Sequence, residues 1–106
     1  MSNSVIKNND KVIAEKSKNL LKRIPTKKNR KQVENALEFS IKMHHGQTRK
    51  SGLPFVSHCI DVANILIDWN MDHTTIVSAL LHDVVEDTEV KLSDIKDEFG
   101  PDVALL

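Results

Sequence analysis

Apolar residues recur along this chain at three- and four-residue intervals, and no stretch alternates long enough to demand a strand. Val12, Ile13, Leu20, Leu21 and Ile24 make a thin apolar stripe over residues 10–24, with Asp10 as the expected N-cap. Residues 1–9 are polar and are expected to be disordered or frayed. Pro25 should end this helix, because proline disfavours helical geometry in the residue before it. Val33, Ala36, Leu37, Phe39, Ser40 and Met43 share a face over 31–45, and Gly46 is placed to close that helix as a left-handed cap.

The polar, cationic and turn-forming run from Gln47 to Pro54 reads as a loop, with Pro54 suited to the first turn of a new helix. From Phe55 the apolar positions are dense, predicting a largely buried helix that ends near Trp69-Asn70. Asp72 or Thr74 is the expected cap of the next helix, over about 75–86. Ser93 is expected to cap a short helix over 94–99, Gly100 to end it and Pro101 to begin another. That last helix opens with Val103-Ala104-Leu105-Leu106 and has no stop signal, so the chain reads as the N-terminal piece of something longer. The predicted class is all-α, with a basic, partly helical extension over 1–30 and a helical domain portion over 31–106.

Charge changes this picture in one respect. The 106 residues have zero formal net charge, yet residues 1–50 hold 13 Lys/Arg against 4 Asp/Glu, and residues 51–106 hold 2 against 11. A basic half suits phosphates and an acidic half suits a cation. Lys27, Lys28, Arg30 and Lys31 cluster after Pro25 and read as a solvated helix start; a nucleic-acid contact over 22–31 would rest on charge alone, and none is predicted. The single cysteine, Cys59, has no internal disulfide partner, which fits a reducing compartment. No apolar run approaches the roughly 20 residues of a membrane span, and the N-terminus lacks the apolar segment of a secretory signal. The expected location is the cytoplasm, with no membrane partner.

The chemistry concentrates in Leu80-Leu81-His82-Asp83-Val84-Val85-Glu86-Asp87-Thr88. On a helix His82 and Glu86 share a face, as do Asp83 and Asp87, while the aliphatic residues anchor the core. Ionisable groups beside a core need partners or a metal. His58, His82 and Asp83 are the candidate metal ligands, and imidazole with carboxylate suits manganese, iron or zinc. Adjacent residues point about 100° apart on a helix, so His82 and Asp83 share an ion only if a second helix, that of His58, closes the other side. Glu86 and Asp87, one turn on, are placed to orient a water or carry protons. Taken singly, His58 also suits a core histidine, and His45 suits the negative end of its helix.

Three motifs then agree in order and spacing. They are His44-x-Gly46-Gln47-x-Arg49-Lys50-Ser51-Gly52-x-Pro54-x-x-x-His58, the run Ala79 to Thr88, and Phe99-Gly100-Pro101-x-Val103-Ala104. Together, from about Val33 onward, they resemble the N-terminal hydrolase domain of the Rel/Spo alarmone enzymes, bifunctional (p)ppGpp synthetase/hydrolases of the HD phosphohydrolase superfamily. The resemblance implies an all-α HD-domain fold over 31–106, one bound Mn²⁺, and removal of the 3′-pyrophosphate of (p)ppGpp to give GDP or GTP in the stringent response. It implies that His58, His82 and Asp83 bind the metal and that Glu86 and Asp87 are the catalytic acidic pair. It places Arg49, Lys50 and Ser51 in the nucleotide-binding loop, which agrees with a cationic segment able to hold phosphates or stack on guanine.

Two departures accompany it. Cys59 stands where the family usually has proline, and it reads as a small buried hydrophobe rather than a competing ligand. The family's fourth metal ligand, an aspartate of a later helix, is expected beyond Leu106, as is any synthetase domain, so the isolated piece is expected to have weak or no activity. The alternatives are another HD-type metal-dependent nucleotide phosphohydrolase and a non-catalytic guanine-nucleotide-binding regulatory module.

Overall fold

The computed structural model describes residues 3–45, 47–48, 52 and 54–104, with side chains described for 10–45, 47–48, 52 and 54–103. These residues form helices α1 (Asn3–Lys22), α2 (Lys27–Met43), α3 (Phe55–Asp68), α4 (His73–Asp87), α5 (Leu92–Phe99) and α6 (Pro101–Ala104). Among the described residues the sole β pairing is an isolated antiparallel bridge between Thr48 and Pro54. The fold is all-α, as the spacing of apolar residues predicts.

Helix α4 is the hub, packing against α2, α3 and α6, while α1 lies across α3 and α2. The hub role follows from its sequence. Ile76, Val77, Leu80, Leu81 and Val84 are all buried, so α4 spends one broad face on the core. Leu80 and Ile60 are fully buried, and Val33, Ala36 and Leu37 close the core from α2. Burial of each such aliphatic side chain contributes roughly 1.5–3 kcal/mol. Phe39 and Phe99 meet edge to face, with centroids 5.5 Å apart, which ties α5 back to α2.

Several boundaries differ from the expectations. Helix α1 begins at Asn3, so Asp10 lies inside the helix and is not its cap. A helical backbone supplies its own hydrogen bonds, so a polar flank can continue a helix that is anchored further on at Leu20. The second helix begins at Lys27 rather than 31, with Thr26 as N-cap, which places the cluster Lys27, Lys28, Arg30 and Lys31 in its first turns. Pro54 is the N-cap of α3 rather than its first helical residue. Ser93 lies inside α5, whose N-cap is Lys91. The Lys91 amide donates to the Asp94 carboxylate at 3.0 Å, and the Asp94 amide donates to the Lys91 carbonyl at 2.9 Å, so the chain closes its first turn two residues before Ser93. The expected cap at Gly46 lies outside the described residues.

Other signals hold. Helix α3 stops at Asp68, and Asn70 adopts the left-handed region at φ 58°. The Met71 amide donates to the Leu66 carbonyl at 3.0 Å and the Asn70 amide to the Ile67 carbonyl at 2.9 Å, which together satisfy the last carbonyls of the helix. Asp72 caps α4 by accepting from the Thr75 amide at 3.0 Å. Gly100 separates α5 from α6 at φ 95°, a backbone value that disfavours any side chain.

The uneven charge is used within the fold. Lys16 pairs with Asp61 at 2.8 Å, and Arg23 pairs with Asp68 while also donating to the Asn64 side chain at 2.8 Å. These bridges join the basic α1 to the acidic outer face of α3. They are exposed, and each contributes at most about 1 kcal/mol.

Candidate metal centre

The buried aliphatic positions of α4 determine where its ionisable residues go. With Leu80, Leu81 and Val84 turned inward, His82, Glu86 and Asp87 are exposed and Asp83 is half-buried at the edge of the core. The α3 helix faces this edge. Val56, Cys59, Ile60 and Ala63 hold α3 against the core, and His58, one residue before Cys59, is half-buried beside it.

A cavity of about 480 Å³ lies between the two helices. Its lining includes His58 and Cys59 from α3 and Thr75, Ser78, His82 and Asp83 from α4. An ion shared by His82 and Asp83 needs a second helix across from them, and α3, which carries His58, lines this cavity together with α4. A larger cavity, about 750 Å³, lies between α2, the start of α4 and the α5–α6 junction, and its lining contains none of the candidate site residues.

The tightest grouping is not the expected triplet. His82, Asp83 and Glu86 each offer a ligand atom, all within 4.8 Å of one another. His82 Nε2 and Glu86 Oε1 are 3.4 Å apart across one helical turn. His58 shares the cavity but lies outside this group, and Asp87 is exposed at the end of α4. Donors bonded to one ion at about 2.0–2.2 Å stand no more than roughly 4.4 Å apart. The spacing of His82, Asp83 and Glu86 is close to that, and side-chain rotation is enough to close the difference. The residues therefore fit a divalent ion held by nitrogen and oxygen.

Cys59 makes the contact that links the two helices chemically. Its Sγ donates to Asp83 Oδ2 at 3.5 Å, and the residue is 1% exposed. Burial first, and then the Asp83 charge, push the thiol pKa up to about 12. Cys59 is thus buried, as read from the sequence, but it also touches a candidate ligand. The sequence carried a partial signal in the pairing of a family-atypical residue with the candidate histidine beside it. Thr75 and Ser78 were not singled out from the sequence. Their signal was spacing, since Thr75, Ser78, His82 and Glu86 follow one helical stripe.

Arg49, Lys50 and Ser51 lie outside the described residues. The flanks of their segment are described. The Gln47 amide donates to the His44 carbonyl at 2.9 Å, and the Phe55 amide donates to the Gln47 carbonyl at 3.0 Å. His44 is buried, stacked on Phe55, and its Nδ1 is 3.0 Å from Gln47 Oε1. The chain therefore leaves α2 and enters α3 through one narrow neck.

Comparison with known proteins gives this geometry a family. The HD domain pattern matches residues 36–106. The chain belongs to the HD domain family. Within it, the chain is 45% identical over 76 residues to a GTP pyrophosphokinase of Streptomyces coelicolor, which is 72% of this chain and 9% of that protein. It is 44% identical over 75 residues to the guanosine-3′,5′-bis(diphosphate) 3′-pyrophosphohydrolase of Aquifex aeolicus, 71% of this chain and 11% of that protein. It is 48% identical over 63 residues to the bifunctional (p)ppGpp synthase/hydrolase SpoT of Escherichia coli, 59% of this chain and 9% of that protein. The chain thus matches only about a tenth of the length of these relatives, and this HD domain portion is of the Rel/Spo kind. No helix among the described residues is long and apolar enough to cross a membrane.

Proposed function

We propose that this chain is part of the hydrolase domain of a Rel/Spo enzyme that removes the 3′-pyrophosphate of (p)ppGpp, using Mn²⁺. The observation that carries the reading is the shared cavity. His58 lines it together with His82 and Asp83, with Glu86 close to the latter two, in an HD domain whose relatives are named for (p)ppGpp hydrolysis and synthesis, and this supports the reading.

In this reading His58, His82 and Asp83 hold the ion. A divalent ion held there would lower the pKa of a bound water and polarise the phosphorus. Glu86 lies within the same group as His82 and Asp83, so it is positioned to accept a proton from the attacking water. Asp87 follows it at the exposed end of the helix and takes the part of orienting that water. Arg49 and Lys50 balance the phosphate charge, and Ser51 donates to it. The water oxygen bonds to the phosphorus next to the ribose 3′ oxygen. That P–O bond breaks, the 3′ oxygen takes up a proton, and pyrophosphate leaves with GDP or GTP as the other product.

The test is pyrophosphate release from ppGpp by the intact gene product, with and without Mn²⁺, in wild type and His82→Ala. The expected result is Mn²⁺-stimulated release that the substitution abolishes. Full activity after complete chelation would sink the proposal. Equal turnover of ppGpp and deoxynucleotides would instead favour a general HD-type nucleotide phosphohydrolase.

A further inference from the structure

The contact between Cys59 and Asp83 joins the two walls of the cavity, and nothing in the roles assigned above uses it. The thiol has two acceptors within reach. One is the Phe55 carbonyl, one turn back on its own helix, with S···O at 4.0 Å. The other is Asp83 Oδ2 on α4, at 3.5 Å. The carboxylate is the closer of the two, so it accepts the thiol hydrogen bond. Cys59 is 1% exposed and belongs to the main core cluster, so its side chain is fixed by packing and cannot follow a rotating carboxylate. Asp83, by contrast, is only half-buried and sits on a helix edge. A fixed donor beside a less constrained acceptor selects one rotamer of that acceptor. Oδ2 is the engaged oxygen, and a ligand that binds through one oxygen needs only the other.

We infer that Cys59 is a positioning residue, whose thiol donates to Asp83 Oδ2 and holds that carboxylate in the orientation in which it ligates the divalent ion. This rests on the reading of Asp83 as a ligand. Groups that orient a ligand commonly change metal affinity 10- to 100-fold when removed. A thiol is a weak donor, so the lower end of that range applies here.

The experiment measures Mn²⁺ affinity of the protein by titration for wild type, Cys59→Ala, Cys59→Ser and His82→Ala, with circular dichroism to establish that each variant is folded. Cys59→Ala should bind Mn²⁺ about tenfold more weakly, and Cys59→Ser, which keeps a donor of similar size, should recover most of that loss. A metal-free readout accompanies it. The infrared S–H stretch of Cys59 should rise in frequency in Asp83→Ala, because a thiol that loses its acceptor has a stiffer S–H bond. Cobalt-loaded wild type should lack a thiolate-to-metal charge-transfer band. Unchanged affinity in folded Cys59→Ala, an S–H band indifferent to Asp83, or a strong thiolate–cobalt band would each overturn the inference. If His82→Ala binds Mn²⁺ as wild type does, the ligand assignment fails and the inference falls with it. If only the Cys59 variants are silent, the ligand assignment stands and the inference alone is wrong.

Discussion

The imidazole of His44 lies against the ring of Phe55, with centroids 5.0 Å apart and planes 27° from parallel. His44 ends α2 and Phe55 begins α3, so this stack fastens together the two helix ends between which the 49–51 segment lies in the sequence. His44→Ala should lower stability by about 1–3 kcal/mol, from lost stacking and lost burial together. If the segment binds nucleotide, KM for ppGpp should rise more than kcat falls. Thermal melts and steady-state kinetics check both parts, and an unchanged KM would separate the neck from binding.

The thiol of Cys59 predicts a pH dependence. Its folded pKa, about 12, lies above the ordinary value of 9.0. The unfolded chain therefore releases this proton first. The stabilisation is fully present below pH 9.0 and is lost as pH rises toward about 12. Denaturant titrations of the metal-free chain across that window should show falling stability in wild type and a flatter profile in Cys59→Ala.

Asp72 predicts a dependence of opposite sign. The Thr75 hydroxyl and amide hydrogen bonds hold its carboxyl below the ordinary value of 3.8. Its contribution is present above that pH and is lost as pH falls through the lower folded value. Asp72→Ala should therefore lower Tm at neutral pH, by an amount that shrinks in acid. An equal deficit at both pH values would show that the cap does not act through the carboxylate.

Leu80 is fully buried on the hub helix, two residues from His82. Leu80→Ala should cost about 2–5 kcal/mol, enough to unfold a small domain or leave it marginal. Urea unfolding measures the loss. A cost below 1 kcal/mol would mean that the α2–α4 packing is looser than the structure has it.

Glu86 is exposed, so its replacement should leave the fold intact. Glu86→Gln should lower kcat for ppGpp hydrolysis by about 10²–10⁴, the usual contribution of a positioned base. Tm should be nearly unchanged. Retained kcat would shift the base role to Asp87.

Much of this was legible in sequence for physical reasons that are local. The stripe Ile76, Val77, Leu80, Leu81 and Val84 has helical spacing, and spacing alone turns His82 and Glu86 to the opposite side. Asp72 could be named as a cap because a carboxylate at that position accepts from an otherwise unpaired helix amide three residues on. Gly100 could be named as a stop because few other residues accept its backbone. The start of α1 at Asn3 was not legible, since polar residues carry no periodic signal and their helicity is propagated from the anchored part.

The sequence by itself determined the helices, the hub and the residue types that meet at it, because hydrogen bonding within a turn and apolar periodicity depend on near neighbours. Only the tertiary structure decided which side chains come closest. It left His58 outside the tight group of His82, Asp83 and Glu86, and it set the Cys59 thiol against Asp83 Oδ2. His82, Asp83 and Glu86 ride on one helix and keep their spacing whatever surrounds them. His58 and Cys59 ride on another, so their distances depend on how closely two apolar faces pack, and that depth is fixed by the whole core.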